Sequence, residues 1–312
     1  MKIIFMGTPV FAAHFLEHLH SGSHQVVAVV TQPDRPVGRG RVITPPPVKE
    51  KALALGIPVL QPASVKEDSF AEELLRYQAD IFVVVAFSIL PKRVLGCAKF
   101  GAVNVHGSML PQYRGAAPVQ WAIANGDKMT GVSIFLLDEK MDHGPILEQR
   151  KIPIGPYDTE EDILNKMVAP GCEALDSALQ RIFEGKCESL SEQDHANASP
   201  APKLKKEDGK IDFSQSAQQI HNRIRAFFPW PGGFCKFNGK IAYFRKTDVV
   251  KDLAIPPGFV RNEKDRLLVG TGNGTLEVLE IQLEGKRPMP AADFLRGIQN
   301  KNQENLCFKT MD

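Results

Sequence analysis

The sequence holds no CxxC pair. Its five cysteines, Cys97, Cys172, Cys187, Cys235 and Cys307, lie scattered along 312 residues. That pattern speaks against a zinc site or a disulfide framework and fits a reducing cytosol. No GxxxxGKS/T sequence occurs, so no Walker-type phosphate loop is expected. The glycine-rich turn of dinucleotide-binding proteins is missing as well. Gly7-Thr8-Pro9 follows the first strand-like run, and Pro9, which has no N–H, stands where a second glycine would let the backbone approach a pyrophosphate. No apolar stretch is long enough to cross a bilayer. Met1-Lys2-Ile3-Ile4-Phe5 runs directly into a strand, without the apolar region and small-residue cleavage site of a signal peptide. A surplus of charge is lacking too: 38 Lys and Arg face 36 Asp and Glu, for a formal net charge of +2. Any nucleic-acid affinity must therefore come from local patches.

What the chain does have is ordinary globular composition, 43% hydrophobic and 24% charged, and length for two domains. Short Val/Ile-rich runs alternate with helical patterns over the first half: 3–6, 26–30, 81–86, 102–105 and 132–137, with helical stretches at 11–19 and 70–77 between them. Near-continuous apolar runs mark strands covered on both faces, so residues 1–190 read as a doubly wound, mostly parallel α/β domain. Residues 191–206 are polar, carry Pro200 and Pro202, and end in Lys203, Lys205 and Lys206, a linker composition. Over 207–312 the grammar changes. Ser216 and Gln219 form a capping box, and Asn238-Gly239 and Asn273-Gly274 each sit between strand-like runs, the signal of β-hairpins. This second domain reads as a small antiparallel β unit with a helix near residues 290–297.

Several motifs carry potential chemistry. His14-Phe15-Leu16-Glu17-His18 matches the HxxEH zinc pattern, but His18 flanks an apolar helix stripe and no third ligand follows. Asn104-Val105-His106 is more informative. Strand alternation puts Asn104 and His106 on one face, at the carboxyl end of a strand, where open α/β sheets bind ligands. A polar pair in an otherwise apolar strand is either a satisfied structural pair or the start of a site. The following loop, with Pro111, Gly115 and Pro118, favours a site. Asp138 or Asp142 could orient His106, and spacing does not separate them. The loop from Pro33 to Arg41 places Arg35, Arg39 and Arg41 among proline and glycine, suited to phosphate or base contacts. Residues 227–234, rich in aromatics and proline, read as core packing.

These residues resemble the methionyl-tRNA formyltransferase family over nearly the whole chain. The likeness is carried by Gly7-Thr8-Pro9 with Phe11-Ala12, by Thr31 through Gly40, by Asn104 through Pro118, and by Pro229-Trp230-Pro231. It implies that Asn104, His106 and Asp142 are catalytic. It implies a 10-formyltetrahydrofolate donor held by Ser108, Met109, Leu110 and Pro111, with Phe87, Ser88 and Leu90 beside them. It assigns Arg39 and its loop, with Arg35 and Arg41, to the acceptor end of an aminoacylated initiator tRNA, and gives the second domain an OB-like barrel. On the residues alone, Lys203, Lys205 and Lys206, with Arg223, Arg225, Lys236, Lys240, Arg245 and Lys246, extend a basic track across that domain. A monomeric cytoplasmic enzyme without a metal or a membrane anchor is expected. The sequence departs from the family at Met109 (usually leucine), at Phe87-Ser88 (usually tyrosine and glycine), and after Asp142, where His143 is a new ionisable neighbour and Pro145 replaces an aspartate. Another folate-dependent formyltransferase or hydrolase, or a non-catalytic tRNA-binding protein, remains the alternative.

Overall fold

The Val/Ile-rich runs become a seven-stranded sheet in the computed structural model, which describes residues 1–37, 40–186, 190, 192–299 and 306–311. Its strands run, edge to edge, Ile146–Pro153, Met129–Leu136, Ala102–His106, Ile81–Val85, Lys2–Gly7, Gln25–Val30 and Val59–Leu60. From Ala102–His106 to Val59–Leu60 every neighbouring pair is parallel. Alternation along each strand explains the apolar runs. Ile3, Phe5, Ile81, Val83 and Val85 join one core with the helix Val10–Ser21, whose buried positions are Ala12, Ala13, Phe15, Leu16 and Leu19. Ile4, Met6, Phe82 and Val84 join a second core with Phe70 and Leu74 of the helix Asp68–Leu75. Both faces are thus covered, and burying each large side chain contributes roughly 1.5–3 kcal/mol relative to exposure.

One strand departs from the expected direction. Met129–Leu136 lies antiparallel to Ala102–His106, although its residues have the same two-sided burial as their parallel neighbours. Apolar content reports that a strand is covered, not which way it points.

The chain resolves into two compact units. The first holds residues 1–118, 130–153 and 164–201. The second holds 119–129, 154–163 and 202 onward. The segment 191–206 is not the free linker its composition suggested. Gln193 is buried, and Pro200–Ala201 pairs in parallel with Arg114–Gly115 inside the first unit. Polarity and proline foretold irregular backbone there, and Ser199 and Ala201 bond through their backbone to Pro111, Arg114 and Ala117 of the first unit.

In the second unit, Gly233–Phe237, Lys240–Val250, Thr275–Leu283, Arg266–Gly270 and Val260–Glu263 form an antiparallel sheet in that order. Asn238 and Gly239, both with positive φ (47° and 77°), make the two-residue turn expected of Asn-Gly. Asn273-Gly274 falls in a longer turn between Gly270 and Thr275. The sheet closes on itself: the segment 306–311 bridges to Phe259 beside one edge strand and to Lys236 on the other. Inside lie Phe213, Phe237, Phe244, Leu267, Val278, Phe294 and Phe308. Ser216 and Gln219 form the capping box that opens the helix Ala217–Ala226. Of the aromatic stretch, Phe227 and Phe234 are buried as expected, but Trp230 is 56% exposed, because its flanking prolines belong to the turn ahead of the first strand.

Candidate active site

The strand Ala102–His106 sets the site. Ala102 packs in one core and Val103 and Val105 in the other, so alternation leaves Asn104 and His106 on the face of Ala102. Asn104 pairs in register with Val84 and Phe135, and His106 with Ser133. The His106 ring is 5% exposed and meets Phe135 edge to face. Its Nε2 lies 2.9 Å from the carbonyl oxygen of Tyr113. A carbonyl only accepts, so Nε2 carries a hydrogen and the neutral ring keeps its lone pair on Nδ1. Nδ1 faces Asp142 Oδ2 at 3.7 Å, close for an ion pair and long for a direct hydrogen bond. The Asn104 side chain, by contrast, makes no hydrogen bond among the described residues, leaving its amide N–H groups unengaged.

Asp142 comes from the loop after Met129–Leu136 and has a left-handed backbone, φ 50°. Its Oδ2 accepts the backbone N–H of Gly115 at 2.7 Å. The aspartate ambiguity is resolved by the fold: Asp138 instead binds His143, Oδ2 to Nδ1 at 2.7 Å. His143 stacks on His195, with centroids 3.9 Å apart and planes 10° off parallel.

The loop beyond His106 is braced from within. Ser108 donates its hydroxyl to the carbonyl of Gln112 at 2.6 Å. Ser133 Oγ donates to the carbonyl of Ser108 at 2.6 Å and accepts from the Leu110 N–H at 3.1 Å. Gln149 adds hydrogen bonds to Ser133 Oγ and to the carbonyl of Leu110, at 2.8 and 3.0 Å. Among the residues expected at the folate, the Ser108 and Leu110 side chains are therefore interior, with the Ser108 hydroxyl committed to its own loop, while Met109 and Pro111 are half-buried. Leu90 is also buried. Phe87 is half-buried and Ser88 exposed, its Oγ accepting from Gln32 at 3.0 Å.

Among the arginines, Arg35 lies in a short antiparallel pair, Arg35–Val37 with Val42–Thr44, where an irregular loop was expected. Pro36 is accommodated there because so short a ribbon can leave its N–H side unpaired. Arg35 donates to Gln32 at 3.0 Å. Arg41 is exposed, and Arg39 lies outside the described residues, as does Cys187. Lys203, Lys205 and Lys206 belong to the second unit and are exposed. His18 pairs with Asp176 at 2.8 Å, and the described residues contain no cluster of three or more side chains able to hold a metal. The buried cysteines offer no nucleophile: burial first, then nearby carboxylates, push the Cys172 thiol up to about 12, and burial raises Cys235 well above its ordinary value.

Sequence reasoning missed Gln193, which donates from Nε2 to the carbonyls of Asp142 and Gly144 at 3.0 and 2.7 Å. It also passed over the Arg114 side chain, whose Nε and Nη2 donate to Gln193 Oε1 at 3.2 and 2.5 Å. Arg114 lies inside the loop that follows His106, and Gln193 inside the segment read as a linker.

Comparison with known proteins gives the family. A formyl transferase model matches residues 1–179, and a formyl transferase C-terminal domain model matches 203–299. The methionyl-tRNA formyltransferase of Koribacter versatilis is 45% identical over 309 residues, 98% of each chain. That of Geobacter sulfurreducens is 41% identical over 300 residues, 96% of this chain and 94% of the other. Among solved structures, HypX from Aquifex aeolicus in complex with tetrahydrofolic acid is similar with a TM-score of 0.65 at 19% identity, over 100% of this chain and 51% of that one. The sugar 3N-formyl transferase WlaRD, in the presence of dTDP and 5-N-formyl-THF, reaches 0.67 at 20% identity, over 92% and 99%. At these identities the solved structures speak for the fold. The two family matches, which together span most of the sequence, and full-length relatives above 40% identity place the chain in the formyl transferase family.

Proposed function

We propose that this chain transfers the formyl group of 10-formyltetrahydrofolate to the α-amino group of methionine esterified to initiator tRNA, with Asn104, His106 and Asp142 at the reacting centre. The observation that carries the reading is the pairing of buried His106 with half-buried Asp142, 3.7 Å apart, beside an Asn104 amide on the same strand face with no partner among the described residues. A free amide donor beside an imidazole and a carboxylate suits a carbonyl on which negative charge develops.

The acceptor amine attacks only when neutral, and amines of this kind lose their proton at roughly pH 8 or below. Its nitrogen forms a bond to the formyl carbon, and the carbonyl electrons move onto oxygen. The Asn104 N–H stabilises that oxyanion. The Nδ1 lone pair of His106, with Asp142 across from it, accepts the proton lost by the amine, directly or through one water. Collapse of the intermediate re-forms the carbonyl and breaks the bond to the folate nitrogen, which leaves with the proton. The donor is already an activated formamide, and the two charges that develop, an oxyanion and an imidazolium, are met by the Asn104 amide and the Asp142 carboxylate.

Arg35, Arg39 and Arg41 supply phosphate and base contacts for the acceptor end of the tRNA, and Lys203, Lys205 and Lys206 extend the basic surface of the second unit. Met109 and Pro111, with Phe87 and Ser88, are the folate-facing residues of the loops after two neighbouring strands. The enzyme acts as a monomer in the cytoplasm. The decisive assay supplies formyl-tetrahydrofolate with methionine-charged initiator tRNA and, separately, charged elongator tRNA. Formylation of the initiator alone is expected. Formyl-folate hydrolysis without transfer to any tRNA would overturn the assignment.

A further inference from the structure

We infer that Gln193 is a positioning residue that sets Asp142 against His106. The inference rests on the proposed role of Asp142. Gln193 is 4% exposed, and both ends of its amide are engaged. Its orientation is forced by its partners. The Arg114 guanidinium can only donate, so Oε1 must face it. The carbonyls of Asp142 and Gly144 can only accept, so Nε2 must face them. No other side chain of this size accepts from a cation at one atom and donates to two carbonyls from its neighbour.

The two carbonyls bracket the turn that presents the Asp142 carboxylate. That turn holds Asp142 at φ 50°, a conformation the surroundings must maintain. It also packs Gly144 so tightly that a Cβ there would lie 1.9 Å from the carbonyl oxygen of Leu136. Gln193 clamps this turn by its backbone, and Gly115 holds the carboxylate at 2.7 Å. The 3.7 Å separation from His106 Nδ1 is the joint result. Arg114 ties the two clamps together: its side chain fixes Gln193, and its backbone precedes Gly115. A positional error near 1 Å at a reacting group is enough to cost about a hundredfold in rate.

Gln193→Glu tests this with almost no change in shape. The carboxylate still accepts from Arg114 but cannot donate to the two carbonyls. Gln193→Met, of similar length, removes all four hydrogen bonds and serves if the first variant folds poorly by circular dichroism. Single-turnover and steady-state formyl transfer, the latter over a range of folate and tRNA concentrations, are measured for each variant alone and combined with Asp142→Asn. In the wild-type background kcat is expected to fall ~10–100-fold, with KM for folate and tRNA within about threefold. In the Asp142→Asn background the same substitution is expected to cost less than about twofold, because residues that act as one unit are not additive. Equal losses in both backgrounds, or wild-type turnover in folded Gln193 variants, would overturn the positioning role. Wild-type turnover of Asp142→Asn alone would instead remove Asp142 from the mechanism, and the role of Gln193 with it.

Discussion

Gly115 and Asp142, 27 positions apart in the chain, are joined by a 2.7 Å hydrogen bond from a backbone N–H to a carboxylate oxygen. Gly115 has φ +126°, and a Cβ there would lie 2.5 Å from the carbonyl oxygen of Ala201. Both facts demand glycine. Gly115→Ala must shift the backbone that donates to Asp142 and loosen the pairing of Arg114–Gly115 with Pro200–Ala201. We expect a stability loss of about 1–3 kcal/mol, seen as a melting temperature lower by roughly 2–4 °C per kcal/mol. A fall in kcat should accompany it. Thermal melts paired with steady-state kinetics check both.

Asn104→Ala should separate activity from stability. If the amide is an oxyanion donor, turnover falls ~10²–10³-fold. The side chain has no hydrogen-bond partner among the described residues and sits on a largely buried strand, so replacing it with a small apolar group costs little or even stabilises the fold. The expected pair of results is a large loss in single-turnover rate with an unchanged or raised melting temperature. A normal rate would remove Asn104 from the chemistry.

His221 gives the second unit a pH dependence of its own. The ring is buried, with Nδ1 at 3.0 Å from Thr247 Oγ1 and Nε2 at 3.1 Å from the carbonyl of Pro156. Burial holds its pKa below the ordinary histidine value, only partly opposed by the Pro156 carbonyl. The unfolded chain takes up this proton at roughly pH 6.5, and the folded one only at lower pH. The unfolded state therefore binds more protons as pH falls through that range, so stability is complete above about pH 6.5 and declines below it. Calorimetry at about pH 7.5 and pH 5.5 should show the decline, and His221→Gln should flatten it.

Much of this was legible in the residues. Two-sided burial showed in the Val/Ile runs, and the polar pair Asn104/His106 stood out because the rest of its strand is apolar. The Asn238-Gly239 turn was legible because few dipeptides accept positive φ at both positions. What stayed hidden depends on what comes near in space. Strand direction at Met129–Leu136 leaves no mark on composition. Asp138 and Asp142 look alike until the loop places one on His143 and the other beside His106. Gln193 was invisible because a buried glutamine within a polar segment offers no contrast with its neighbours.

The second unit draws residues 119–129 and 154–163 from earlier in the sequence, which makes it unsuited to being moved as a cassette. Arg225, a buried cation, gives two hydrogen bonds to the carbonyls of Gly155 and Asp158, and Trp121 donates to Pro202 while its ring lies against Phe227. A fragment starting at Pro202 would strip that guanidinium's Nη1 of both carbonyl acceptors, leaving it Asn222 alone, and would uncover the Phe227 ring. Recombination that transplants this half of the protein onto another scaffold must carry three separate stretches of polypeptide together.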